Sequence, residues 1–160
     1  MSYKLKIQLV QELIKRIKVF ISSEGTMPKE LKEYSINVSP ERMHDVLFYS
    51  SLYIGEGATM ASECAMLGVP AIYLNAFSIG TLEEEARFGL LFSFRNSAGV
   101  IEKAIELLNN PALKEEFQLR QRKMLSEKID VTAFLVWFIE NYPESIKTMK
   151  ENPDFQFNFR

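Results

Sequence analysis

"YIGEGATMASECAMLGVPAIYLN", residues 53 to 75, sets an apolar run, two glycines, a helical pattern carrying one acid and a second apolar run back to back. Read in order, it is a strand over 52–57, a helix from about Ala58 to Leu67 that stops at Gly68, and a second strand over 70–75. Strand, helix and strand in so short a span imply a crossover between parallel neighbours. Gly55 and Gly57 fall where the first strand gives way to the helix, the side on which open parallel sheets bind ligands. Glycine at that turn lets a ligand approach the backbone closely.

The alternation continues on either side of this block. Downstream, "LLFSF" (90–94) is a further strand after an intervening helix. Upstream, Leu9, Val10, Leu13, Ile14 and Ile17 recur at three- and four-residue spacing, predicting an amphipathic helix over 4–16 that leads into a strand, "KVFIS" (18–22). "YSINVS" (34–39) is a second short strand. Ser39 and Pro40 stand as N-cap and first helical residue of "PERMHDVLFYSS" (40–51). Strands this apolar on consecutive residues are covered on both faces. The expectation is an α/β fold: a three-layer α/β/α, Rossmann-like parallel sheet of about five strands, within residues 1–142. From Ala98 the pattern is helical: "AGVIEKAIELLNN", "PALKEEFQLRQRKMLSEK" and "VTAFLVWFIENY" make a helical C-terminal extension. Residues 143–160 read as a helical or irregular tail, with "ENPDFQFNFR" the irregular part.

Composition excludes several classes. The chain has 160 residues, 47% of them hydrophobic, which is enough for one real core. A net charge of −2 with acids and bases interspersed leaves no basic stripe for nucleic acid. The single cysteine, Cys64, rules out an intramolecular disulfide framework, and one histidine, His44, is too few for a Cys/His zinc cluster, so no metal is expected. A reducing, cytosolic setting fits. The longest apolar run, 131–139, is about half of the roughly 20 residues a membrane span needs, and the N-terminus lacks a secretion core.

The chemistry sits in the opening block. The N–H groups of Ala58, Thr59 and Met60, at the positive end of the helix dipole, suit a phosphate, and the Thr59 hydroxyl adds a donor. Glu63 is four residues beyond Thr59, on the same helix face and about 6 Å further along the axis. A carboxylate beside a diphosphate is repelled unless it accepts hydrogen bonds from neutral hydroxyls, and a ribose diol supplies two. The joint reading is a nucleoside diphosphate. The spacing is neither a GxGxxG fingerprint nor a Walker loop, so a tight strand-to-helix turn with a solvent-facing glutamate also fits it.

The runs "SSEG" (22–25), "PERMHD" (40–45), "GEGATMASECAMLGVPAIYLN" (55–75) and "EARFGLLF" (85–92) together resemble the C-terminal, nucleotide-sugar-binding half of GT-B-fold proteins. The nearest resemblance is to a glycosyltransferase-like family of archaea and bacteria associated with surface-polysaccharide or lipopolysaccharide biosynthesis. More distantly the chain is similar to UDP-N-acetylglucosamine 2-epimerase and to the transferase that makes lipid II. The resemblance implies that Gly57, Ala58 and Thr59 hold the nucleotide phosphates, that Glu63 holds the ribose, and that Arg42 and Met43 face the base. It implies a UDP-linked sugar as substrate, with no further cofactor. It also implies that a first strand and an N-terminal acceptor domain are absent, so the chain is inactive alone. An epimerase-like fragment and a non-catalytic interaction module that keeps the fold are the alternatives.

Other candidates have two readings each. Ser22, Ser23 and Glu24 end the first strand on the ligand side, where they line a pocket or simply form a turn. Thr81 and Glu84 are placed beside the sugar, but "TLEE" is also a capping box that needs no ligand, and the cap is preferred. His44 and Asp45 are adjacent on a helix and do not face each other, so His44 reads as a surface or packing residue. Cys64, among Ala61, Ala65 and Leu67, reads as a small core residue. Phe134, Leu135, Trp137, Phe138, Ile139 and Tyr142 take up too much of one helix circumference for a single contact face. That surplus, with the missing strand, predicts a homo-oligomer.

Overall fold

The computed structural model describes residues 1–23, 25–77 and 80–160. They form two compact units, Met1–Gln121 and Arg122–Arg160. This division falls inside a helix, whereas the sequence reading sets its boundary at 142.

In the first unit a parallel sheet runs in the order β1 (Tyr53–Gly55), β2 (Ala71–Leu74), β3 (Leu91–Phe94). Tyr53 registers with Ala71, and Ala71 with Leu91. Every residue of β2 is buried, as a central strand covered on both faces requires. Helix α1 (Tyr3–Leu13) packs on α5 (Val100–Leu108), and α5 packs on β2. On the other face α2 (Met43–Tyr49) lies against α3 (Ala58–Met66), which packs on β1 and β2, and α4 (Gly80–Arg87) packs on β3. Leu47, Ala61, Cys64, Ala71, Tyr73, Leu82 and Leu91 form the core of that face. Cys64 is a buried core residue as expected, its thiol pushed up to about 12 by burial first and by the nearby Glu63 second.

Among the described residues the sheet has three strands, not about five. The expected strands at 18–22 and 34–39 shrink to one isolated parallel bridge, Ile21 with Ser35, closed by Ile21 N–H to Tyr34 O (2.7 Å) and Ile36 N–H to Ile21 O (3.0 Å). The alternating apolar residues make these segments extended, but neither pairs with β1, so there is no ladder to propagate. Two boundaries also move. α1 ends at Leu13, and "PERMHDVLFYSS" opens as a 3₁₀ turn, Pro40–Arg42, before α2 begins.

Gly68 ends α3 with φ +70°, and a Cβ there would lie 3.2 Å from the Gln118 Cα, so both conformation and space call for glycine. Residues Leu113 to Gln121, the first turns of α6 (Leu113–Ser126), complete this unit. Phe117 is buried, Arg120 Nη1 donates to Gly89 O (2.8 Å), and Gln121 Nε2 donates to the Met66 carbonyl at the end of α3 (3.0 Å).

In the second unit Asp130 caps α7 (Val131–Glu140), its carboxylate accepting from Ala133 N–H at 2.9 Å. α8 (Glu144–Glu151) and a 3₁₀ turn, Pro153–Asn158, follow. The stretch 151–160, read as irregular, is ordered because its aromatics have a partner. Trp137 meets Phe155 (ring centroids 4.6 Å apart) and Phe159 (5.4 Å), and Phe134 meets Phe159 (5.6 Å). Among the described residues no helix is long and apolar enough to cross a membrane.

Candidate functional site

The turn between β1 and α3 decides the site. Gly57 is the N-cap of α3 in extended conformation (φ −82°, ψ 117°), with no side chain capping the helix. The first-turn amides of α3 therefore lack acceptors within the helix and face the carboxyl end of β1. Gly57 and Thr59 are exposed, Ala58 is half-buried, and Met60 packs against the core.

Thr59, Ser62, Glu63 and Met66 recur at three- and four-residue spacing along α3. With Ala58, Leu67, His44 and Thr81 they line a groove of about 500 Å³. Its apolar lining leaves polar groups at a few positions, the usual make-up of a small-molecule site. Thr59 and Glu63 thus face one space, as their spacing predicts. His44, read as a surface or packing residue, places Nε2 3.5 Å from Glu63 Oε2 across the groove. It is brought there from the first turn of α2, and the single histidine was the available sequence signal.

Ser62 was missed, although its three-residue offset from Thr59 put it on the same stripe. Its hydroxyl donates a short hydrogen bond to Glu85 Oε1. Glu85, on α4, is 5% exposed, and its Oε2 has no partner among the described residues. Burial raises its pKa, and the Ser62 hydrogen bond only partly opposes that.

Tyr53 was missed as well, and it changes the role of Gly55. The Tyr53 side chain folds over Gly55, so closely that a Cβ there would collide with its hydroxyl and ring. The group approaching the Gly55 backbone is therefore this phenol. Burial pushes the Tyr53 hydroxyl up to about 12, against a backbone hydrogen bond from Gly57.

The remaining candidates spread out. Arg42 Nε pairs with Asp45 at 2.6 Å, and Met43 packs on the core, so neither lines the groove. Ser22 and Ser23 are exposed, and Ser23 Oγ accepts from Gly25 N–H in a local turn (3.2 Å). Glu24 lies outside the described residues. Thr81 reaches the groove from the first turn of α4 rather than from a cap position, and Glu84 pairs with Arg87 at 3.1 Å.

The groove can bind, accepting hydrogen bonds at Glu63 and donating them at the start of α3. Among the described residues it does not assemble a nucleophile with a base, because Ser62 donates to Glu85 while His44 faces Glu63.

Among solved structures the chain is similar to one described as the crystal structure of the glycotransferase of kitacinnamycin, with a TM-score of 0.51 and 14% sequence identity, over 77% of this chain and 35% of that one. The fold is glycosyltransferase-like. The chain spans about a third of the length of that neighbour. No family model and no curated protein matches.

Proposed function

We propose that this chain is the nucleotide-sugar-binding half of a glycosyltransferase-like protein with a UDP-linked donor. The observation that carries the reading is the single stripe of α3 on which an uncapped helix start, Thr59 and Glu63 open together onto one groove. Diphosphate oxygens take the amides of Ala58, Thr59 and Met60, while the ribose diol donates to Glu63. His44, already beside Glu63, gives way to that diol or orients the carboxylate for it. The sugar lies toward Thr81.

Among the described residues the groove holds no base paired with a nucleophile, and we infer that acceptor and base come from a further domain, so that turnover needs more than this chain. A role in surface-polysaccharide or lipopolysaccharide biosynthesis, in the cytosol and as a homo-oligomer, completes the proposal. It follows from the sequence resemblance and from the apolar stripe of α7. Calorimetry with UDP and UDP-sugars tests the binding. Saturable binding weakened at least about tenfold by Glu63→Gln, the scale of one lost charge-assisted hydrogen-bond pair, is expected. A folded chain that takes up no nucleoside diphosphate returns the fold to the interaction-module reading.

A further inference from the structure

α4 presents two chemistries on opposite sides. Thr81 faces the α3 groove, while Glu83 and Arg87, about 160° and about 120° away around the helix at 100° per residue, line a second groove of about 430 Å³. This groove lies past the carboxyl ends of β2 and β3, and its volume falls within the about 300–1,000 Å³ typical of ligand sites. Ser93 and Arg95, two residues apart on and just after β3, reach it from the same strand face. Arg95 is exposed and takes part in none of the ion pairs among the described residues. Arg87 Nη1 pairs with Glu84 at 3.1 Å.

Phe77 lines the same groove and is 77% exposed, a large ring left in water. Its backbone is anchored: Asn75 Oδ1 accepts from Phe77 N–H (3.3 Å), and Asn75 Nδ2 donates to Glu56 O (3.2 Å). An exposed ring on an anchored backbone, lining the same groove as two guanidinium groups, suits a ligand with an apolar face and an anionic edge. A guanidinium fork matches a carboxylate in bidentate geometry. Glu83, on the same wall, accepts hydrogen bonds from hydroxyls and repels polyanions.

We propose that this second groove binds an acidic monosaccharide of the hexuronate type. The carboxylate sits on Arg95 and Arg87, the C–H face of the pyranose stacks on Phe77, and the ring hydroxyls meet Glu83 and Ser93. The site is separate from the α3 groove and does not rest on the nucleotide reading. The test is an NMR titration of the full chain with glucuronic acid, glucose, acetate and inorganic phosphate. Glucuronic acid should bind saturably and shift Phe77 and Arg95 resonances, each of the other three binding at least about tenfold more weakly. Arg95→Gln should weaken glucuronic acid about tenfold without moving the thermal midpoint, and Phe77→Ala should weaken glucuronic acid but leave the acetate response alone. Four results would overturn the proposal: no glucuronic acid binding, equal responses to acetate and glucuronic acid, tighter binding of phosphate, or binding indifferent to Arg95→Gln.

Discussion

Helices α3 and α7 are both short and rich in apolar residues, yet they bury them in opposite ways. α3 lies on the sheet: Ala61, Cys64 and Ala65 are buried, and the stripe left outside is the polar one that lines the groove. α7 belongs to the second unit, whose described residues form no strand. Its aromatics pack with those of the chain end, while Val131, Leu135, Val136, Ile139 and Tyr142 stay exposed, none below 49%. A helix covered by a sheet can leave polar chemistry on its outer face. A helix that must supply its own cover has apolar surface left over, and that surface asks for a partner.

The largest expected effect breaks the α7 side of this contrast. Trp137→Ala removes the ring that holds Phe155 and Phe159, and about 3 kcal/mol of stability should go with it, read as loss of the second unit's unfolding transition. On the α3 side, Gly55→Ala drives a methyl into Tyr53 and should cost about 2 kcal/mol in chemical denaturation. Truncating Tyr53 in the same chain should return part of that cost, and strictly additive effects would show that the two do not touch.

Smaller in size, but distinct in sign, is Glu85→Gln. Because burial raises the folded carboxyl's pKa above its unfolded value, its favourable contribution is complete at low pH and is lost as pH rises through the folded pKa. The glutamine variant should therefore melt higher than the parent at neutral pH, with the advantage shrinking as pH falls below the ordinary carboxylate range. A variant that melts lower at pH 7 would mean that Glu85 is stabilising there as an anion. The smallest effect on stability sharpens the comparison most. Leu135→Ser with Ile139→Ser should change folding by no more than about 0.5 kcal/mol each, yet abolish self-association in sedimentation equilibrium. A parent chain that sediments as a monomer removes the need for a partner on α7.

Much of this contrast was written locally. The β1-α3-β2 unit follows from consecutive apolar runs, a glycine stop and helical spacing, so the sequence located its helix to within a residue and placed Thr59 and Glu63 on one face. Strand pairing over distance was not legible. Val19 and Ile21 alternate as strand residues do, but whether they join a ladder depends on which edge lies beside them, and pattern carries no such information. Tyr53 was hidden for a similar reason: its ring folds back two residues, and nothing in "YIG" separates a glycine that admits a ligand from one that admits its own neighbour. Glu85 drew no reading of its own in the sequence, because only the packing of α4 against α3 buries it against Ser62. The chain end looked irregular because its order comes from Trp137, a contact far away in sequence.

If the start of α3 and Glu63 hold one nucleoside diphosphate between them, titration of the isotopically labelled chain with UDP, followed through backbone amide resonances, will show it. Saturable shifts are expected that are largest at Ala58, Thr59 and Met60, extend to Glu63 and His44, and collapse in Glu63→Gln while the spectrum of the free protein stays that of the folded chain. Shifts centred on Phe77 and Arg95, or none at all in a well-dispersed spectrum, would contradict it.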